Sequence, residues 1–170
     1  MIKLIVDKLP RIIKSKKKLE QILNIKITNK GKEVSISGKP EDEYIAEKVI
    51  DALNFGFPFS VAILIKEQGH VFEILNVKDY TRRSDLDRVR ARIIGKKGKT
   101  LSTLSQLTKC DFELKDNEVG IICDPEYLKN AQEAIISIIR GAKQANVYSR
   151  LEKHQIKPVI DLGLKETRPA

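Results

Sequence analysis

Residues 25–56 lie over residues 110–141 at a constant offset of 85, without a gap. Val34 meets Val119, Ile36 meets Ile121, Pro40 meets Pro125 and Glu41 meets Glu126. Ala46, Ile50 and Gly56 meet Ala131, Ile135 and Gly141. Upstream, the phrase "RII" at Arg11 recurs at Arg92, an offset of 81, so the first copy is four residues shorter between that phrase and its next strand. A repeat of this length restricts the fold more than any local propensity does. Each copy is one supersecondary unit, and the chain has to be assembled from two of them.

Each copy reads in the same order. "IKLIVD" and "VFEILNV" have the alternating or clustered apolar residues of strands. A basic helical segment follows, and in the second copy Leu86, Val89, Ile93 and Ile94 are expected to share a face. In "KTLSTLSQLTK", Leu101, Leu104 and Leu107 predict a helix with one buried stripe. Asp116-Asn117, matched by Gly31-Lys32, predicts a two-residue hairpin turn. In that register Leu114 faces Val119, Phe112 faces Ile121, and Cys110 faces Cys123 as a reduced core neighbour. A long helix closes each copy, opened by Pro40 or Pro125 and stopped near Gly56 or Gly141. Leu128, Ala131, Ile135 and Ile138 or Ile139 point inward along the second of these helices. Strand, helix, helix, strand, strand, helix makes an α+β unit, a three-stranded antiparallel sheet with helices on one face.

The chain of 170 residues holds 32 Lys and Arg against 23 Asp and Glu, a formal charge of +9, and 41% of its residues are apolar. It can build cores, and its surplus charge suits a polyanionic partner. No apolar run reaches membrane-spanning length, and the "MIKLIVDKLP" opening is too short and too charged for a secretory signal. Two cysteines make neither a metal quartet nor a secreted disulfide framework, which points to a reducing interior and no bound metal. His70 and His154 stand alone, and Asp85 and Asp87 are read as helix caps or surface ion pairs. No catalytic constellation is expected.

Between Arg88 and Lys99, Arg88, Arg90, Arg92, Lys96, Lys97 and Lys99 come without an acidic residue among them. Within this stretch "RIIGKKGKT" places Gly95 and Gly98 at the two ends of a turn between helices. Glycine there permits positive φ and lets a sugar-phosphate backbone approach without a Cβ in the way. The helix that begins near Lys99 aims free amides at the same turn. "GKT" does not end an ATP-binding loop. That motif needs a glycine where Ile93 stands, and the strand that should precede it is missing, since "DLDRVRARII" is helical in period. In the first copy Lys14 and Lys17 occupy the glycine positions, so this half is expected to pack or to dock protein and not to grip a strand.

The pattern resembles tandem KH domains, with Gly95-Lys96-Lys97-Gly98 as the GxxG loop. A degenerate copy followed by an intact one, with "RARIIGKKGKTLSTLSQLT", "GA" and "VYSRLEK", is similar to the archaeal branch of the Partner of NOB One (Dim-two-like) ribosome-assembly factors. Ala91 departs from that pattern, which commonly has glycine there. The resemblance implies two tandem KH domains. Residues 1–68 form the degenerate one plus a connecting helix, 69–156 the intact one with a C-terminal helical extension, and 157–170 a loosely held tail. It implies that Arg88, Arg90, Arg92, Ile93, Ile94, Gly95, Lys96, Lys97, Gly98, Lys99 and Thr100 contact single-stranded RNA. Ile93, Ile94 and Leu104 or Leu101 would floor an aliphatic groove for bases. The implied ligand is small-subunit rRNA near its 3′ end. The implied partners are the NOB One endonuclease and the alpha subunit of archaeal initiation factor two, in the cytoplasm and with no cofactor. A protein-interaction adaptor and a sister KH assembly factor are the alternatives.

Overall fold

In the computed structural model residues 1–160 are described, the last six of them by backbone alone. The first copy runs β1 (Ile2–Ile5), α1 (Leu9–Lys14), α2 (Lys16–Leu23), β2 (Ile25–Lys30), β3 (Glu33–Gly38) and α3 (Pro40–Phe55). Its sheet is antiparallel in the order β1-β3-β2, with Leu4 opposite Val34 and Ile27 opposite Ile36. The second copy runs β4 (Val71–Asn76), α6 (Leu86–Ile94), α7 (Lys99–Thr108), β5 (Asp111–Lys115), β6 (Glu118–Cys123) and α8 (Pro125–Ile139). Its sheet has the equivalent order, β4-β6-β5. The expected α+β fold with tandem KH topology is therefore present.

The connecting segment is two short helices, α4 (Phe59–Ala62) and α5 (Leu64–Glu67), where one was expected. The last helix, α9 (Gln144–Ile160), runs past residue 157, where the tail was expected to begin. The remainder of that tail lies outside the described residues.

The repeat is visible in the core. Val34 and Val119, Ile36 and Ile121, Ala46 and Ala131, and Ile50 and Ile135 are each fully buried. The hairpin register is the expected one, Phe112 opposite Ile121 and Leu114 opposite Val119. Both closing helices have proline at their start and carboxylates in the first turn: Glu41, Asp42 and Glu43 in α3, Glu126 in α8. That arrangement complements the positive end of the helix dipole. Ile138 and Ile139 are both buried, and so are Cys110 and Cys123.

Grouped by proximity, residues Met1–Leu75 form one unit with Asp111–Pro125, and Asn76–Cys110 form another with residues 126–160. The first unit therefore takes in the strand segments of the second copy, and this cut does not follow the repeat. Ile122 on β6 belongs to the buried cluster that holds Leu19, Val34 and Ile50. Beside it, Phe55, Phe57 and Phe72 pack with ring centroids 5.7–5.9 Å apart. Gly120 leaves the space these rings fill, for a Cβ there would stand 2.7 Å from Phe55 Cε1 and 2.9 Å from Phe57 Cε2. Gly120→Val should cost about 1–3 kcal/mol by overpacking, read as a lower urea midpoint at constant slope.

Candidate nucleic-acid interface

Asp85 opens α6 by accepting the amide of Arg88 at 3.3 Å, and the helix buries Val89 and Ile93. It ends where Gly95, at φ 77° and ψ 174°, turns the chain while its amide still donates to Ala91 O at 2.8 Å. Lys97 (φ 56°) and Gly98 (φ 73°) are left-handed as well, and Gly98 N–H donates back to Gly95 O at 3.1 Å. Helix α7 then starts at Lys99, and no side chain among the described residues caps its first amides.

The two glycines are required for different reasons. A Cβ at Gly95 would lie 2.0 Å from Thr100 Oγ1 and 2.5 Å from Thr100 Cβ, so both space and backbone demand glycine. At Gly98 a Cβ would meet nothing within 4 Å, and only the backbone angle favours glycine. The surface beside Gly98 is open, and Lys96, Lys97 and Lys99 are exposed around it. Lys96 to Lys99 with Ser102, Thr103 and Gln106 line a hollow of about 610 Å³.

The eleven residues singled out from sequence divide into groups. Gly95, Lys96, Lys97, Gly98 and Lys99 form the open turn. Thr100 is buried beneath Gly95. Ile93 is buried in the core and Ile94 is 38% exposed, so the two do not share a face; Leu104 is buried and Leu101 half-buried. Arg88 pairs with Asp85 at 3.4 Å, and Arg90 with Asp87, one turn earlier on the same helix. These carboxylates, just before the basic run, temper its charge. Along α7 the fully buried line is Thr100, Leu104 and Thr108. Ser102, Thr103 and Gln106, on the face with Lys99, went unremarked in the sequence. Their helical spacing from Lys99 was the available signal.

Arg92 has other work. Its Nη1 donates to Ile138 O at 3.1 Å and its Nη2 to Ala142 O at 2.7 Å, holding the end of α8. Arg11, its counterpart, donates to Gly56 O at 2.8 Å and to Phe57 O at 3.0 Å, and Phe57 is the counterpart of Ala142. The isoleucines match too: Ile12 and Ile93 are buried, while Ile13 and Ile94 are 43% and 38% exposed. The repeated "RII" is thus a structural clasp present in both copies. Arg92→Ala should lower stability by about 2–4 kcal/mol, because charge-assisted bonds to backbone carbonyls are lost. Arg11→Ala should fall in the same range, and chemical denaturation of each variant measures it.

Outside the clasp the copies part. Left-handed residues recur at the offset of 85: Asn24 with Lys109, Gly31 with Asp116, Gly56 with Gly141. Gly95, Lys97 and Gly98 have no such counterparts. In the first copy only Ser15, at φ −105°, separates α1 from α2, so two helices meet almost directly where the second copy opens a turn.

Elsewhere, a hollow of about 420 Å³ in the first unit is lined by Lys48 and Lys115 but also by Asp51, Glu73 and Glu118. Burial, then the charge of Glu47, pushes the Asp51 carboxyl above its ordinary range. The mixed signs give an anion no net attraction there. Among the described residues no cluster of His, Cys, Asp or Glu suits a metal ion, and no helix is long and apolar enough to cross a membrane.

A β-α-α-β-β-α unit with a glycine-bounded turn between its first two helices defines a KH domain of type I. The family model for the second KH domain of PNO1 proteins, described as a eukaryotic-type (type I) KH domain, matches residues 71–156, and the chain belongs to the PNO1/Dim2-like family. A KH domain-containing protein of Methanocaldococcus jannaschii is 29% identical over 113 residues, 66% of this chain and 50% of that protein. The pre-rRNA-processing protein pno1 of Aspergillus fumigatus is 32% identical over 143 residues, 80% of this chain and 56% of that protein. The chain spans about half the length of these curated relatives. Among solved structures, a chain of the a/eIF2alpha-aDim2p-rRNA complex of Pyrococcus horikoshii is similar with a TM-score of 0.81 at 28% identity, covering 92% of this chain and 94% of that one.

Proposed function

We propose that this chain binds single-stranded rRNA of the small ribosomal subunit, near its 3′ end, as an assembly factor, and that the Gly95–Gly98 turn is its grip. One observation carries this: the open, left-handed Lys97-Gly98 backbone, set between exposed lysines and the uncapped amides of α7. KH loops of this kind clamp about four nucleotides, with bases received by aliphatic surface beside the loop. Lys96, Lys97 and Lys99 attract the phosphates. The α7 amides receive one of them, and exposed Ile94 offers apolar surface to a base. Arg92 acts by holding the frame and not by touching the strand.

The names of the similar proteins point the same way, one being a pre-rRNA-processing protein and another a chain from a complex with rRNA and a/eIF2alpha. The NOB One endonuclease and the alpha subunit of initiation factor two are the proposed partners, in the cytoplasm. Cleavage belongs to the endonuclease. The first copy, with no left-handed residue between α1 and α2, takes no strand and serves packing or docking.

Fluorescence anisotropy with a single-stranded oligonucleotide copied from the 3′ end of small-subunit rRNA tests the proposal. Tighter binding than to a scrambled strand and to a duplex is expected at physiological salt. Equal affinity for all three would overturn it.

A further inference from the structure

At the far end of α8 lies a second group of cations. A Cβ built on Gly141 would stand 3.8 Å from Arg83 Nη2 and 3.9 Å from Arg92 Nη1, so two guanidinium groups flank the space this glycine leaves empty. The guanidinium of Arg140, the preceding residue, lies over the ring of Tyr80 with 5.9 Å from its carbon to the ring centroid. Arg83 and Arg140 are exposed, and no carboxylate of the described residues lies within ion-pair distance of either.

Helix C-termini attract cations by their carbonyls alone. Here that demand is already largely met. Arg92 donates to Ile138 O and Ala142 O, and the amides of Arg140, Gly141 and Ala142 donate to Ile136 O, Ile138 O and Ser137 O. The guanidinium groups of Arg83 and Arg140 are therefore left with donors to spare, the first at a gap with no Cβ in it and the second over Tyr80, three residues before Arg83 in the chain. Arginine forks of this kind suit the tetrahedral oxygens of phosphate.

We propose that Arg83 and Arg140, with Tyr80 seating the second, form a separate site for a backbone phosphate of the same RNA strand, beyond the nucleotides held at the Gly95–Gly98 turn. This rests on the RNA-binding role proposed above. The two sites are linked through Arg92, whose backbone is one helical turn before Gly95 and whose guanidinium reaches the rim of the gap. A strand leaving the turn along this side has its next anionic contact there.

The test compares two labelled single strands, one of about four nucleotides and one roughly three times as long. Arg83→Gln with Arg140→Gln should leave the short strand's affinity unchanged and weaken the long strand about tenfold. The slope of log affinity against log salt for the long strand should become shallower by about 0.7, the counterion release that goes with one phosphate contact on a single strand. Should the double variant melt early, Arg83→Lys with Arg140→Lys decides, because it keeps the charge and should restore most of the salt slope. Wild-type slope and affinity on the long strand in the Gln variant, or no restoration by Lys, overturn the site. If Lys96→Asp with Lys97→Asp still abolishes binding in that case, RNA binding at the turn stands without it. Binding of neither strand by the wild type removes both proposals. Undiminished long-strand binding in excess inorganic phosphate at constant ionic strength excludes a site for the free anion.

Discussion

Lys96→Asp combined with Lys97→Asp should lower affinity for single-stranded RNA at least 100-fold and leave the melting temperature within about 2 °C. The loss corresponds to about 2.7 kcal/mol. Both side chains are exposed and neither has an ion-pair partner among the described residues, so nothing in the fold depends on them. Surface substitutions of this kind stay within about 0.5 kcal/mol. A carboxylate just ahead of α7 even suits its helix dipole. Binding suffers for the same reason, because two anions would stand where a phosphate has to meet the uncapped amides. Anisotropy titration reads the affinity and a thermal melt the fold. Unchanged affinity would remove the turn from the binding surface.

Gly95→Ala and Gly98→Ala should differ sharply although both alter the same four-residue turn. At Gly95 the added carbon runs into Thr100 at 2.0–2.5 Å, and the backbone, at φ 77° and ψ 174°, lies in a region essentially reserved for glycine. A cost of about 3 kcal/mol or more follows from strain and overpacking together. That corresponds to a fall of roughly 6–12 °C in melting temperature for a chain of this size. At Gly98 the backbone is ordinary left-handed helix with open space around it, and alanine should cost about 1 kcal/mol. Gly98→Asn should cost less still, since asparagine tolerates this conformation. Thr100→Ala should recover part of the Gly95→Ala loss, and a double-mutant cycle measures how much. Equal costs at the two glycines would show that Thr100 does not set the requirement.

Much of this could be read along the chain. The offset of 85 located two equivalent cores, because the valine, isoleucine and alanine pairs it matches are buried in both copies. The hairpin turns, the proline starts and glycine stops of α3 and α8, and the glycine-bounded turn all depend on a few consecutive residues. The missing turn of the first copy was equally legible, since lysines at positions 14 and 17 favour ordinary helical angles. Periodicity misled where adjacent residues split between core and solvent. Ile93 and Ile94 look alike in sequence, but on a helix they stand about 100° apart and only one can face inward.

What the sequence could not tell was the direction taken by long side chains. Arg92 stands among cations and reads as one of them, but its partners are carbonyls 46 and 50 residues away. The same holds for Gly141, whose empty space matters only because Arg83 and Arg92 arrive beside it. The sequence by itself determined the repeat, the element order and which copy has an open turn, since backbone angles and periodicity are local properties. Tertiary structure alone decided which arginines are spent on the frame and which remain for an anion, because that depends on distant carbonyls folding into reach.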